Sequence, residues 1–132
     1  MSKANQSSSG TRGVKISSNV LVIEDDDTTA AMIGNVLMLE GFGVRITNSR
    51  TAALLVLDFY LYDFIIMDLF MTGLEAEPFL VEVRRRTSRT KVVLISGLEL
   101  DKLTQHAKRL GLSVFLSKPF SKNELVDALA RF

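Results

Sequence analysis

Five polar side chains of this sequence end or follow short apolar runs, and their types suit one kind of chemistry. They are two adjacent carboxylates, a third carboxylate, a hydroxyl group and an ammonium group: Glu24, Asp25, Asp68, Ser96 and Lys118. Grouped carboxylate oxygens suit Mg²⁺, which binds through a few carboxylates and keeps water molecules for phosphate oxygens. A lysine and a hydroxyl group suit the oxygens of a phosphoryl group. If the fold brings the five together, they favour phosphoryl transfer onto or off a carboxylate.

Strands that alternate with helices are needed to place these side chains at one edge. The apolar runs predict parallel strands buried on both faces, at 19–23, 44–48, 63–68, 91–96 and 113–117. Helical spacing of apolar residues predicts helices at 28–41, 50–60, 77–87, 101–111 and 121–132. This alternation is typical of a doubly wound α/β fold, here a five-stranded parallel sheet with five helices. Such sheets bind ligands at the carboxyl ends of their strands, which is where the five polar side chains stand.

Other polar residues serve the helices in this interpretation. Asp26 and Asp27 are expected to stabilise the beginning of the first helix, since acidic side chains complement the helix dipole there. Ser121 and Glu124 have the spacing of a capping box at the beginning of the fifth helix.

Composition limits the classes of protein to which this chain can belong. The 132 residues fit one domain, and a net charge of +1 implies no general attraction to nucleic acid or membranes. The sequence has no cysteine and a single histidine, His106, so thiolate sites and multi-histidine metal sites are excluded. We see no membrane span or signal peptide and expect a cytoplasmic protein. Residues 1–18 are polar and rich in serine, which predicts a flexible tail ahead of a domain at 19–132.

Four motifs occur in order at the ends of the predicted strands: "VLVIEDD", "YDFIIMDLFMTG", "VVLISG" and "VFLSKPF". This series resembles the receiver domain of two-component response regulators, and the resemblance covers residues 19–132. It implies a (βα)5 flavodoxin-like fold. The implied function is a phosphorylation-activated signalling switch, which phosphorylates itself from a donor and is not an enzyme with turnover.

The resemblance also implies roles for individual residues. Asp68 would be the phosphoacceptor, with a sensor histidine kinase or a phosphotransfer protein as the donor partner and an acyl phosphate as the product. Glu24 and Asp25 would hold Mg²⁺ together with Asp68, and the backbone carbonyl of Phe70 would complete the protein ligands.

The remaining implied roles concern the switch. Ser96 would hydrogen-bond a phosphoryl oxygen and move toward it on phosphorylation, while Lys118 would pair with the phosphoryl group or with Asp68. Phe115 matches the aromatic switch residue, with its ring near the fourth helix. The Lys118–Pro119 bond is expected to be cis. Phosphorylation would change the face formed by helix four, strand five and helix five.

Two apolar residues beside the site depart from some relatives, in which polar residues occur. Hydrolysis of an acyl phosphate needs a positioned water molecule. We therefore hypothesise that Phe70 and Leu98 restrict that water and give a long-lived phosphorylated state.

Alternatives from other classes remain open. A phosphohydrolase with an aspartyl-phosphate intermediate would need a second carboxylate two residues after Asp68, where Phe70 stands. A phosphorylation-independent interaction module that retains the fold is the main alternative. The basic run at 84–91 lies at a helix end, where cations complement the dipole, so we expect no direct nucleic-acid binding. His106 is expected to be a structural histidine at or near the surface. The output partner is unknown, and the sequence leaves homodimerisation open.

Overall fold

The computed structural model describes residues 18–132, in which five strands alternate with five helices. In chain order they are β1 (Asn19–Ile23), α1 (Asp27–Leu39), β2 (Gly43–Thr47), α2 (Arg50–Leu57), β3 (Phe64–Asp68), α3 (Ala76–Arg86), β4 (Lys91–Ser96), α4 (Leu100–Leu110), β5 (Val114–Ser117) and α5 (Lys122–Leu129). The predicted α/β alternation is confirmed. The predicted bounds differ from the observed ones by three residues at most, at the ends of α2 and α5.

All five strands are parallel and lie in the order β2-β1-β3-β4-β5. The chain therefore moves outward from β1 to β2 and then returns past β1 to β3. The point where the direction reverses, between β1 and β3, is where doubly wound sheets bind ligands. Residues that follow β1 and end β3 are thus placed at this crevice.

The core lies on both faces of the sheet because side chains of a strand alternate between its faces. Ile23, Met67 and Phe79 belong to the cluster under α2, α3 and α4, whereas Val22 and Ile33 belong to the cluster under α1 and α5.

The prediction that every strand is buried on both faces is wrong for β2. The central strands β1, β3 and β4 are almost completely buried, but no residue of β2 is buried, and Ile46 is 45% exposed. The reason is its position, because β2 lies at an edge of the sheet and has only one neighbouring strand.

The beginning of α1 explains two of the four acids in the run at 24–27. Asp26 is the N-cap, and its Oδ2 accepts hydrogen bonds from Thr29 Oγ1 at 2.6 Å and from Thr29 N at 2.9 Å. These bonds hold the pKa of Asp26 below its ordinary value. Asp27 lies in the first turn. Both residues therefore serve the helix, as predicted.

Two expectations concern regions beyond the sheet. The predicted tail lies outside the described residues apart from Ser18, whose carbonyl oxygen accepts a hydrogen bond from Gly43 N. Within residues 18–132, no helix has the length and apolar character needed to cross a membrane.

The capping box predicted for α5 is present and supports a test. Ser121 Oγ accepts from Glu124 N at 3.1 Å, and Ser121 N donates to Glu124 Oε1 at 2.8 Å. We expect Ser121→Ala to lower the free energy of unfolding by about 1 kcal/mol, because alanine lacks the Oγ that accepts from Glu124 N. Urea denaturation measures the loss. Ser113→Ala, at an exposed position outside the helices and strands, is the control. Equal losses in the two variants would contradict the assignment.

Candidate functional site

Three carboxylates meet at the crevice between β1 and β3. Glu24 and Asp25 follow β1, Asp68 ends β3, and the two strands are paired in register with Ile23 opposite Met67. One oxygen from each carboxylate lies within 4.8 Å of the other two. Glu24 and Asp68 are buried, at 1% and 7% exposure, whereas Asp25 is exposed. The structure thus brings together the three acidic residues that the sequence placed at separate strand ends.

Lys118 directly follows β5, the edge strand that β4 separates from β3, and its side chain extends to the carboxylates. Its Nζ donates to Glu24 Oε1 at 2.7 Å and to Asp68 Oδ2 at 2.8 Å. The backbone places it there because Ser117 pairs with Ser96 at the end of β5, and Lys118 N donates to the Ser96 carbonyl at 2.7 Å. The Lys118–Pro119 bond is cis, as the resemblance implied. One ammonium group therefore bridges two of the three carboxylates.

The other oxygens of these carboxylates are held by backbone amides. Phe70 N donates to Asp68 Oδ1 at 3.2 Å, and Asp26 N donates to Glu24 Oε2 at 3.1 Å. These bonds orient the two carboxylates without using all their lone pairs, since each ionised carboxylate offers about four acceptor positions. Both groups therefore retain capacity for a further cation.

The donor set fits Mg²⁺. It consists of carboxylate oxygens, the ligands that this ion prefers, and the exposed Asp25 leaves the cluster open to water.

Burial and hydrogen bonding shift the pKa values of two groups in the cluster. Burial raises the pKa of Glu24, and the hydrogen bonds from Lys118 and Asp26 N only partly oppose this effect. Burial lowers the pKa of Lys118, but its bonds to Asp68 and Glu24 outweigh burial, so the net shift is upward. Both shifts favour the protonated forms, because burial penalises the ionised Glu24 carboxylate and the bonds to Asp68 and Glu24 hold the Lys118 proton.

The two predicted switch residues lie on neighbouring strands of the same half of the sheet. Ser96 ends β4 and is fully buried, and its Oγ accepts a hydrogen bond from Leu98 N at 3.1 Å. Phe115 is half-buried and packs against the core cluster that contains Leu103 and Ala107 of α4. This packing agrees with the expected position of its ring near the fourth helix, because β5, the strand that carries Phe115, contacts α4.

A cleft of about 520 Å³ opens beside the carboxylates and is lined by Asp25, Phe70, His106 and Arg109, among others. Phe70 is 57% exposed, and its ring contacts the His106 ring edge to face, with centroids 5.9 Å apart. His106 Nδ1 lies 3.0 Å from Arg109 Nη2. His106 is half-buried in α4, so its position agrees with the expected structural histidine.

Sequence reasoning missed Arg50, the first residue of α2. Its side chain is buried at 2% exposure and donates three hydrogen bonds to backbone carbonyls of the loop that follows β3. The sequence did carry a weak signal, because a cation at the beginning of an apolar helix opposes the helix dipole.

Known proteins match the chain over nearly all of its described length. The profile of the response regulator receiver domain matches residues 20–130. The regulatory protein AtoC of Escherichia coli is 30% identical over 107 residues, which cover 80% of this chain and 23% of AtoC. Transcription factor SKN7 of Saccharomyces cerevisiae is 28% identical over 118 residues, which cover 86% of this chain and 18% of SKN7. The chain spans about a fifth of the length of these curated relatives.

Solved structures agree with these sequence relatives. The receiver domain of the Francisella response regulator 1452 matches with a TM-score of 0.75 and 25% identity, over 86% of this chain and 94% of that chain. The chemotaxis protein CheY4 of Vibrio cholerae shares the fold, with a TM-score of 0.78 and 23% identity over 88% of this chain and 98% of that chain. The chain therefore belongs to the response regulator receiver domain family of two-component signalling systems.

Proposed function

We propose that this receiver domain accepts a phosphoryl group on Asp68 and acts as a phosphorylation-controlled signalling switch. The observation that carries the proposal is the position of the Asp68 carboxylate, which ends β3 beside two further carboxylates and within 2.8 Å of Lys118 Nζ. A buried aspartate with this surrounding is suited to covalent chemistry, because an adjacent cation stabilises charge on incoming phosphoryl oxygens.

The proposed step begins with attack of an Asp68 carboxylate oxygen on the phosphorus of the donor. An O–P bond forms, and the P–N bond of a phosphohistidine or the P–O bond of acetyl phosphate breaks. The electron pair of the broken bond leaves with the imidazole, which takes up a proton, or with acetate. The product is an acyl phosphate on Asp68.

Residues of this chain support the step from several sides. Lys118 already contacts Asp68 Oδ2 and needs only a small movement to pair with a phosphoryl oxygen. Glu24, Asp25 and Asp68, with the carbonyl of Phe70, would hold Mg²⁺. When bound, this ion neutralises negative charge that gathers on the transferred group.

The proposed conformational switch depends on the hydrogen bond that Ser96 Oγ accepts from the backbone. Its Oγ accepts from Leu98 N, and the Leu98 carbonyl accepts from Ser117 Oγ at 2.8 Å. If Ser96 turns toward a phosphoryl oxygen, it releases the Leu98 amide, and the loop before α4 is freed to move. Phe115 packs on the α4 side, so that movement reaches the face formed by α4, β5 and α5. Two states of this face are what an output partner would distinguish.

Phosphorylation of Asp68 is tested directly by mass spectrometry after incubation with Mg²⁺ and acetyl phosphate. We expect the wild-type protein to gain one phosphoryl group and Asp68→Asn to gain none, because the amide is not a nucleophile. Asp101→Asn, at an exposed position of α4, is the matched control and should react like the wild type. Absence of any modification in the wild-type protein would instead favour the phosphorylation-independent interaction module.

Magnesium should stabilise the protein in a pH-dependent manner. The raised pKa of Glu24 gives stability that is fully present below the ordinary value of 4.5 and is lost as the pH rises through the raised value. The contribution from Lys118 persists over this range, since its pKa is raised above 10.5. Mg²⁺ binds ionised carboxylates, so it restores stability where the Glu24 proton has left.

Thermal unfolding with and without Mg²⁺ measures this effect. At ~100 times the dissociation constant, binding adds about 2.7 kcal/mol, which is a rise of several degrees in Tm. We expect a larger rise at about pH 7.5 than at about pH 4.5, and a smaller rise in Asp25→Ala than in Asp27→Ala. Asp27 is the control because it belongs to α1 and not to the cluster. A rise that is equal in both variants would refute the ligand assignment.

The lifetime of the acyl phosphate tests the role of Phe70. Its ring packs on His106 beside the cleft and presents no group that orients water. We expect Phe70→Asn to shorten the half-life of phosphorylated protein by about tenfold, which equals about 1.4 kcal/mol of barrier, because an amide positions the attacking water. Phe70→Leu keeps an apolar side chain and should retain the slow rate. Loss of phosphate from the wild type within seconds would contradict the hypothesis.

A further inference from the structure

Arg50 binds the backbone of the loop that follows the proposed phosphorylation site. Nη2 donates to the carbonyl oxygens of Asp68 and Leu69, both at 2.7 Å. Nη1 donates to the carbonyl oxygen of Leu74 at 2.8 Å. One planar guanidinium group therefore joins the beginning of the β3–α3 loop to its far end.

This arrangement is costly for folding. Arg50 is 2% exposed, and it lies at the first position of α2, where a positive charge opposes the helix dipole. Within residues 18–132, its Nε is the one fully buried side-chain nitrogen or oxygen without a hydrogen-bond partner. A buried donor without a partner destabilises the folded state. The three hydrogen bonds to backbone carbonyls offset these costs, so the stabilising effect of Arg50 is exerted on the segment that those carbonyls belong to.

The carbonyl groups that Arg50 binds show which part of the backbone it orients. It fixes the peptide groups that follow Asp68 and Leu69, which directly precede Phe70. Among the described residues, no hydrogen bond is donated to the carbonyl of Phe70. The guanidinium group thus occupies carbonyls on either side and leaves the Phe70 carbonyl available for another ligand. Gly73, with a φ of +90°, turns the chain back so that Leu74 reaches the same guanidinium group.

We propose that Arg50 is a positioning residue of the phosphorylation site, which holds the β3–α3 loop so that the Asp68 carboxylate and the Phe70 carbonyl face the proposed Mg²⁺ site. This inference rests on the proposed function. Among the described residues, the hydrogen bonds of Arg50 all go to backbone carbonyls and none goes to a carboxylate oxygen. It therefore acts through the loop.

The test compares Arg50→Met and Arg50→Lys with the wild type. Methionine has similar length without charge, and lysine keeps the charge but lacks the planar fork that spans three carbonyls. Two quantities are measured below the Tm of each variant: the Mg²⁺ dissociation constant by calorimetry, and amide hydrogen exchange of residues 69–75. Loss of a group that orients metal ligands typically weakens metal binding 10–100-fold, so we expect about a tenfold weaker affinity. Both variants should show faster exchange in this loop.

Arg85→Lys is the matched control, because Arg85 is exposed on α3 and, among residues 18–132, forms its one ion pair with Glu82 on the same helix. Wild-type affinity in this control, with weakened affinity in both Arg50 variants, supports the proposal. Unchanged affinity and unchanged exchange in a folded Arg50 variant overturn it. If Arg50→Met does not fold, the Arg50→Lys result decides between these outcomes. A wild-type protein that binds no Mg²⁺ overturns the proposed function and this inference together, whereas wild-type binding with unaffected variants overturns the role of Arg50 alone.

Discussion

Like charges at one edge of the sheet are the constraint on which the site depends. Glu24, Asp25 and Asp68 converge where β1 and β3 end, and burial removes much of the water that would screen two of them. Carboxylates crowded in this way repel one another and raise the free energy of the folded state. Lys118 offsets part of this cost by bridging Glu24 and Asp68, but one ammonium cannot neutralise three carboxylates. The remaining negative charge suits a divalent cation.

The order of the strands makes this balance depend on the whole sheet. Lys118 comes from β5 and Glu24 follows β1, yet their side chains meet at 2.7 Å although 94 positions separate them in the chain. β3 and β4 lie between the two strands. Any shift in register along these pairs would move the ammonium group away from the carboxylates. Packing of the central strands is therefore a condition for the electrostatics of the site and not only for stability.

Sequence reasoning reached most of the fold and the acidic cluster, because both depend on local patterns. Runs of apolar residues indicate strands, and in a parallel sheet the residues at the ends of neighbouring strands must meet. The exposure of β2 was missed because the pattern does not show which strands lie at the edges of the sheet. Arg50 was missed for a different reason. Its partners are backbone carbonyls 18, 19 and 24 positions away, and no residue type at those positions marks them as acceptors.

The β3–α3 loop contacts α2 on one side and α4 on the other, and the two contacts differ in strength. On the α2 side, Arg50 makes three short hydrogen bonds from a buried position, where competition from water is weak. On the α4 side, the contact is the aromatic pair of Phe70 and His106, and Phe70 is more than half exposed. An aromatic pair of this kind contributes only about 0.5–1.5 kcal/mol beyond its buried area. A rearrangement at Asp68 would therefore break the contact with α4 before it broke the contact with α2. This asymmetry keeps the loop attached to α2 and leaves its contact with α4 as the one that changes first.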